Sequence, residues 1–193
     1  MYIISGMYRN RRLITPKRDQ TRPTASQLRE ALFNICQTYI QDARFLDLYA
    51  GSGSIGLEAL SREASFATFI EHSWEAVNCI LQNIQSLNVQ NQTQILQGDI
   101  FKMLNLLKKK KETFDIIYAD PPYHTQVKAT NESMSEKLIR YIDESSLLMP
   151  HGTLFVEESF EFQPILRNLK TLVLVKSRRI SSTVLQQYEK IPF

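Results

Sequence analysis

An α/β fold, built on a mostly parallel sheet covered by helices on both faces, is what this sequence predicts, and three observations carry the prediction. From residue 42 onward, short runs of strand-forming residues alternate with longer stretches of helical periodicity, which implies crossover connections between parallel strands. The stretch LDLYAGSGSIGLEAL holds Gly51, Gly53 and Gly56 in GxGxxG spacing, after one such strand and at the start of one such helix. The last two apolar runs are joined only by Arg178 and Arg179, too short for a parallel crossover, so the last strand is expected to run antiparallel.

In chain order, YII and RLIT read first as two short strands of a hairpin, with Gly6 and Asn10 supplying the turn chemistry. TRPTASQLREALFNICQTYI reads as a helix with Thr24 as its N-cap, since Leu28, Leu32, Ile35 and Tyr39 recur at three- and four-residue steps. Strands are then expected at 44–50, 66–71, 93–97, 114–120 and 152–158, and helices at 54–63, 73–87, about 100–110 and 134–148. A short helix over 164–169 and the final pair KTLVLVKS and ISSTVLQQY complete the chain. The lysine run at 108–111 ends a helix, where cations suit the macrodipole. Trp74, Val77 and Leu81 are assigned to packing. Residues 1–41 form an N-terminal hairpin-and-helix extension, and residues 42–193 form the main domain.

With 193 residues the chain can bury one substantial core, and 43% hydrophobic with 22% charged residues is ordinary for a folded globular protein. Cys36 and Cys79 both lie in helical segments without a CxxC or a histidine at ligand spacing. Free thiols in a reducing cytosol are expected, and a zinc site is not. No apolar stretch reaches the ~20 residues that span a bilayer, so neither a signal peptide nor a membrane anchor is expected and the localisation is read as cytoplasmic. The net charge of +3 is uneven: residues 1–30 carry Arg9, Arg11, Arg12, Lys17, Arg18, Arg22 and Arg29 against Asp19 and Glu30. Such an arm suits phosphate binding, and a solvated surface explains it equally well from charge alone.

The glycine loop, Gly51, Ser52, Gly53 and Gly56, lets the backbone turn tightly and approach a ligand at a helix N-terminus. Glu71 ends the next strand, where a carboxylate can accept both hydroxyls of a ribose. This pattern suits a nucleoside cofactor without separating a dinucleotide from S-adenosyl-L-methionine. Two details favour the latter. Asp47, inside the strand before the loop, would repel a pyrophosphate and attract a cationic group. Gly98 and Asp99 close the third strand ahead of Ile100, where Asp99 can accept from an adenine amine or cap the next helix. His72 lines the same pocket or merely precedes a helix capped by Ser73.

The stretch FDIIYADPPYHTQ ends a strand on Asp120, Pro121, Pro122 and Tyr123, and two prolines stiffen the chain beyond Asp120. Together with LDLYAGSGSIGLEALSR, FIE, and the upstream IISG, RRL and TRPTASQLREALFNI, this resembles class I S-adenosylmethionine-dependent methyltransferases that modify exocyclic amines. The pattern is similar, from about residue 2 to residue 188, to the bacterial 16S ribosomal RNA guanine-N2 methyltransferases of the RsmD type. The resemblance implies a Rossmann-like seven-stranded sheet of order 3-2-1-4-5-7-6. It also implies methyl transfer to guanine N2 of 16S ribosomal RNA, naked or in a partly assembled small subunit, by a monomer that binds no membrane.

An aryl amine is a poor nucleophile because its lone pair is delocalised into the ring. Asp120 and the Pro121 carbonyl can accept its two N–H bonds and free that pair, while Tyr123 offers a face on which the base stacks. By resemblance, residues 1–30 face the RNA, with Arg9, Arg11, Arg12, Lys17 and Arg18 on phosphates. Arg22 and Thr24 then belong to a lid near the cofactor. His124, beyond the motif, could touch RNA or simply be solvated, and Lys176, Arg178 and Arg179 could extend the basic surface. Adenine-N6 methylation would use the same Asp120 pair, and a non-catalytic RNA-binding assembly factor with this fold is a further alternative. A nicotinamide dehydrogenase finds no hydride-transfer constellation.

Overall fold

Seven strands form one sheet in the order β3-β2-β1-β4-β5-β7-β6. They are β1 (Arg44–Leu48), β2 (Phe66–Glu71), β3 (Thr93–Gln97), β4 (Phe114–Ala119), β5 (Leu148–Ser159), β6 (Leu172–Ile180) and β7 (Thr183–Lys190). The helices are α1 (Pro23–Cys36), α2 (Ser54–Ser61), α3 (Trp74–Leu87), α4 (Ile100–Lys109) and α5 (Met134–Asp143). This computed structural model describes residues 1–16, 23–122, 133–161, 166 and 168–192, with only the backbone described at 23–25. Strands β1 to β5 pair in parallel, and β7 is antiparallel to both of its neighbours. The expected topology is the one observed.

Successive residues of the central strands feed opposite faces, because side chains alternate across a pleated strand. Phe45, Phe69, Ile116, Tyr118 and Phe155 enter one apolar cluster, with Leu32, Phe33, Leu57 and Ile80 from α1, α2 and α3. Their chain neighbours Leu46, Ile70, Ile117, Ala119 and Leu154 enter a second, with Leu104 from α4 and Leu138 and Ile142 from α5. Both faces are therefore covered, which is why these strands read as nearly unbroken hydrophobic runs. Ile3 and Leu13 of the N-terminal hairpin join the first cluster, so the extension shares its core with the main domain.

Several boundaries differ from the sequence reading. Helix α1 begins at Pro23, so the backbone of Thr24 lies inside it rather than at its cap; proline suits the first helical turn, where its missing N–H costs nothing. That helix ends at Cys36, before Tyr39. The hairpin pairs through a single bridge, Tyr2 to Arg12, with Gly6 and Asn10 in left-handed turns as expected. Arg178 and Arg179 lie within β6, and Ser181 and Ser182 make the turn to β7. The strand expected at 152–158 runs from Leu148, and α5 stops at Asp143. Of the short helix expected over 164–169, residues 164, 165 and 167 lie outside the described residues, and residues 166, 168 and 169 are not helical. Trp74 and Leu81, assigned to packing, are 70% and 50% exposed, while Val77 is buried; on α3 the first two lie away from the stripe of Ile80, Ile84 and Leu87 that meets the sheet.

Candidate active site

The parallel strands bring their carboxyl ends to one edge. Leu48 pairs with Ile70 and Ala119, and Glu71 with Gln97, so the glycine loop, Glu71, Asp99 and Asp120 all emerge there. Tyr49, Gly51 and Gly53 take left-handed conformations with φ of 60°, 55° and 76°. These reverse the chain between β1 and α2, and glycine does so at the second and third positions without a Cβ penalty.

Three side chains pin the loop. The Gly51 N–H donates to Glu71 Oε2 at 2.8 Å, the Gly56 N–H donates to Asp47 Oδ2 at 2.9 Å, and Asn83 Nδ2 donates to the Ser52 carbonyl at 3.0 Å. Asn83 also accepts from the Ile14 N–H at 2.7 Å and donates to the Ile14 carbonyl at 2.9 Å, which ties the N-terminal hairpin to the loop. Sequence reading missed Asn83; its signal was an amide among the apolar positions of α3, beside Ile80, Ile84 and Leu87. Gly56 acts through packing: a Cβ there would come within 2.4 Å of the Phe69 ring.

Asp47 is 1% exposed. Burial pushes its carboxyl up to about 8, the Gly56 N–H works against that, and the charge of Glu71 adds to it. In the free protein at neutral pH Asp47 is therefore mostly protonated, contrary to the fixed negative charge the sequence suggested.

Glu71 accepts from three backbone donors: Gly51 on one oxygen, and His72 and Ser73 on the other, both at 2.7 Å. A carboxylate offers about four acceptor sites, so these three bonds leave about one for a further donor. His72 is exposed beside it, and Ser73 caps α3 as the sequence suggested. Asp99 caps α4 by accepting from the Lys102 N–H at 3.0 Å, yet the residue remains exposed, so its other oxygen can still meet a ligand amine. Ile100 is buried at the first position of that helix.

Asp120 comes directly after β4, and its N–H points to the Leu48 carbonyl at 3.5 Å, bridging the strand end to β1 just ahead of the glycine loop. Asp120 is exposed, Pro121 is buried and Pro122 is exposed. The prolines anchor an acceptor that faces solvent beside the loop. Behind it, Tyr118 donates to Glu157 at 2.7 Å, joining β4 to β5. Tyr123, His124, Arg22, Lys17 and Arg18 lie outside the described residues, as does the side chain of Thr24. A cavity of about 500 Å³, lined by Tyr39, Asp115, His151 and Glu189 among others, opens at the opposite, amino-terminal edge of the sheet, away from the glycine loop, Glu71, Asp99 and Asp120.

Of the basic arm, Arg9, Arg11 and Arg12 are exposed, and Arg11 also donates to the Ser86 carbonyl on α3 at 2.7 Å. Arg29 does not belong to that surface. It is 2% exposed, donates to the Tyr2 carbonyl at 2.7 Å and lies 3.8 Å from the buried Glu58. Glu58 accepts from the Ile4 and Ser5 N–H groups at 2.7 and 2.9 Å and from Arg62 at 2.9 Å. The sequence does not assign this role to either residue, because Arg29 lies 27 positions from Tyr2 and Glu58 lies more than 50 from Ile4 and Ser5.

Strand order, glycine loop and the Asp-Pro-Pro strand end together define a class I S-adenosylmethionine-dependent methyltransferase fold. A solved RNA methyltransferase from Salinibacter ruber in complex with S-adenosyl-L-homocysteine has the same fold, with a TM-score of 0.61, 14% identity and coverage of 90% of this chain and 95% of that one. More specifically, the chain belongs to the ribosomal RNA small subunit methyltransferase D family. The family described as Conserved hypothetical protein 95 matches residues 1–189. Ribosomal RNA small subunit methyltransferase D of Haemophilus influenzae is 32% identical over 189 residues, 96% of this chain and 92% of that protein. The solved yhhF protein of Escherichia coli superposes with a TM-score of 0.82 at 27% identity, covering 100% of this chain and 99% of that one.

Proposed function

We propose that this protein transfers a methyl group from S-adenosylmethionine to the exocyclic N2 amine of a guanine in 16S ribosomal RNA. One observation carries the reading: Asp120, on a proline-stiffened strand end, is bonded through its N–H to β1 immediately before the glycine loop. An amine acceptor and a cofactor loop thereby share one edge. The left-handed glycines and the carboxylates of Glu71 and Asp99 fit the nucleoside of S-adenosylmethionine, and Asp47 fits its cationic end. Bound there, the cofactor supplies an electrophilic methyl group.

The protein supplies position. Asp120 and the Pro121 carbonyl accept the two N–H bonds of the amine, draw its nitrogen toward tetrahedral geometry and free its lone pair. Tyr123 stacks the base, and the proton shed after transfer passes through Asp120 to water. Arg22 and Thr24 cover the cofactor. Arg9, Arg11 and Arg12, with Lys17 and Arg18, contact phosphates, and a partly assembled small subunit is a substrate of the right chemistry. The protein acts as a cytoplasmic monomer; among the described residues no helix is long and apolar enough to cross a membrane. Mass mapping of ribosomal RNA from cells lacking the protein should reveal one guanine of 16S RNA without its methyl group. An adenine missing its N6 methyl, or an unchanged methylation pattern, would replace this reading.

Asp47 makes the cofactor reading pH-sensitive. Its carboxyl is raised to about 8 in the free protein, and a cation placed beside it favours the ionised form. Binding therefore expels a proton, and affinity rises with pH up to about 8 and then levels. Calorimetry at neutral pH in two buffers of different ionisation heat should detect that release in the wild type and lose it in Asp47→Asn; equal heats in both buffers for the wild type would show that Asp47 does not meet a cation.

A further inference from the structure

Tyr49 joins β1 to the glycine loop and carries two unfavourable features. Its backbone is left-handed, with φ of 60°, a strained conformation for an aromatic residue. Its hydroxyl is buried and has no hydrogen-bond partner among the described residues. A buried hydroxyl without a partner costs free energy, and phenylalanine would keep the ring while removing the cost. The ring packs against the cluster that holds Ile100 and Leu104, just ahead of the glycine loop. Burial, with the nearby Asp99 charge adding to it, keeps the phenol protonated, so the group is a donor in search of an acceptor. Strain and orphaned polar groups that coincide at the carboxyl edge of such a sheet are features of ligand sites.

We propose that the Tyr49 hydroxyl is a cofactor-binding group, donating to an acceptor on the nucleoside end of the bound cofactor and left without a partner in the free protein. This rests on the carboxyl edge being the cofactor site. It gives the hydroxyl opposite effects in the two states, a signature that a structural tyrosine lacks. Holding the free protein together would make its loss destabilising, whereas waiting for a ligand makes its loss harmless until the ligand arrives.

The test uses Tyr49→Phe, thermal unfolding, and calorimetric titration with S-adenosylhomocysteine and with 5′-methylthioadenosine, which lacks the amino-acid end. The Tm of the free variant should stay level or rise by about 2–4 °C. Its Kd should rise about tenfold for both ligands. A lowered Tm of the free variant would mean that the hydroxyl already has a partner and would overturn the proposal. So would unchanged affinity, or a loss confined to S-adenosylhomocysteine. Failure of the wild type to bind either ligand would sink the cofactor reading itself and this proposal with it; wild-type binding with an unaffected variant would sink the hydroxyl's role alone.

Discussion

Replacing Asp120 with alanine should cut methyl transfer by at least about 10²–10³-fold, the scale for removing one preorganised polar group that acts on charge developing in a transition state. Cofactor affinity should change by no more than a few-fold, because the groups proposed to meet the cofactor lie in or just beyond other strands: Asp47 in β1, Glu71 at the end of β2 and Asp99 between β3 and α4. The split between turnover and binding is the diagnostic feature. Asp120→Asn, which retains one acceptor oxygen, should keep more activity than the alanine variant. Single-turnover assays with ribosomal RNA, paired with calorimetric titration of S-adenosylhomocysteine, measure both quantities. Alanine variants that still turn over at the wild-type rate would remove amine activation from Asp120 and leave Asp-Pro-Pro as a strand stop.

The largest stability effect should come from Glu58. Its carboxylate is fully buried in α2, receives the Ile4 and Ser5 N–H groups, and faces both Arg29 and Arg62. Alanine there orphans two backbone donors and leaves the 2%-exposed Arg29 guanidinium without its counter-charge. Breaking a buried pair in this way costs about 3–5 kcal/mol, a large share of the roughly 5–15 kcal/mol that stabilises an ordinary domain. Urea unfolding should report the loss, and limited proteolysis should cut first near residues 1–16, since Glu58 holds that hairpin against α2. Unfolding at the wild-type urea concentration would mean that Ile3 and Leu13 dock the hairpin by apolar contact alone.

Much of the fold was legible because its signals are local or periodic. The strands at 66–71 and 93–97 match to the residue, and the helix expected at 73–87 starts one residue later, behind the Ser73 cap, since each has a period or a cap written into a few adjacent positions. Boundaries without such marks drifted: the end of α5, the start of β5 and the turn after Arg179. Glu144 and Ser145 follow α5 with no glycine or proline to mark its end, Pro150 and Gly152 lie inside β5 rather than ahead of it, and Ser181 rather than a glycine takes the left-handed position of the last turn. Trp74 and Leu81 show the same limit from the other side, because hydrophobicity alone does not say which face of α3 meets the sheet.

For the site, the glycine loop, Glu71, Asp99 and Asp120 could be named from the sequence because each sits at the end of a recognisable strand, and parallel pairing carries strand ends to one edge. The charge state of Asp47, the clasp of Asn83 on both Ile14 and Ser52, the withdrawal of Arg29 into a buried cluster with Glu58, and the orphaned hydroxyl of Tyr49 were decided only by the tertiary structure. The difference is physical. Position along a strand is set by chain order and a two-residue period, whereas burial, and with it the protonation, pairing and cost of a polar group, depends on neighbours brought together from distant parts of the chain.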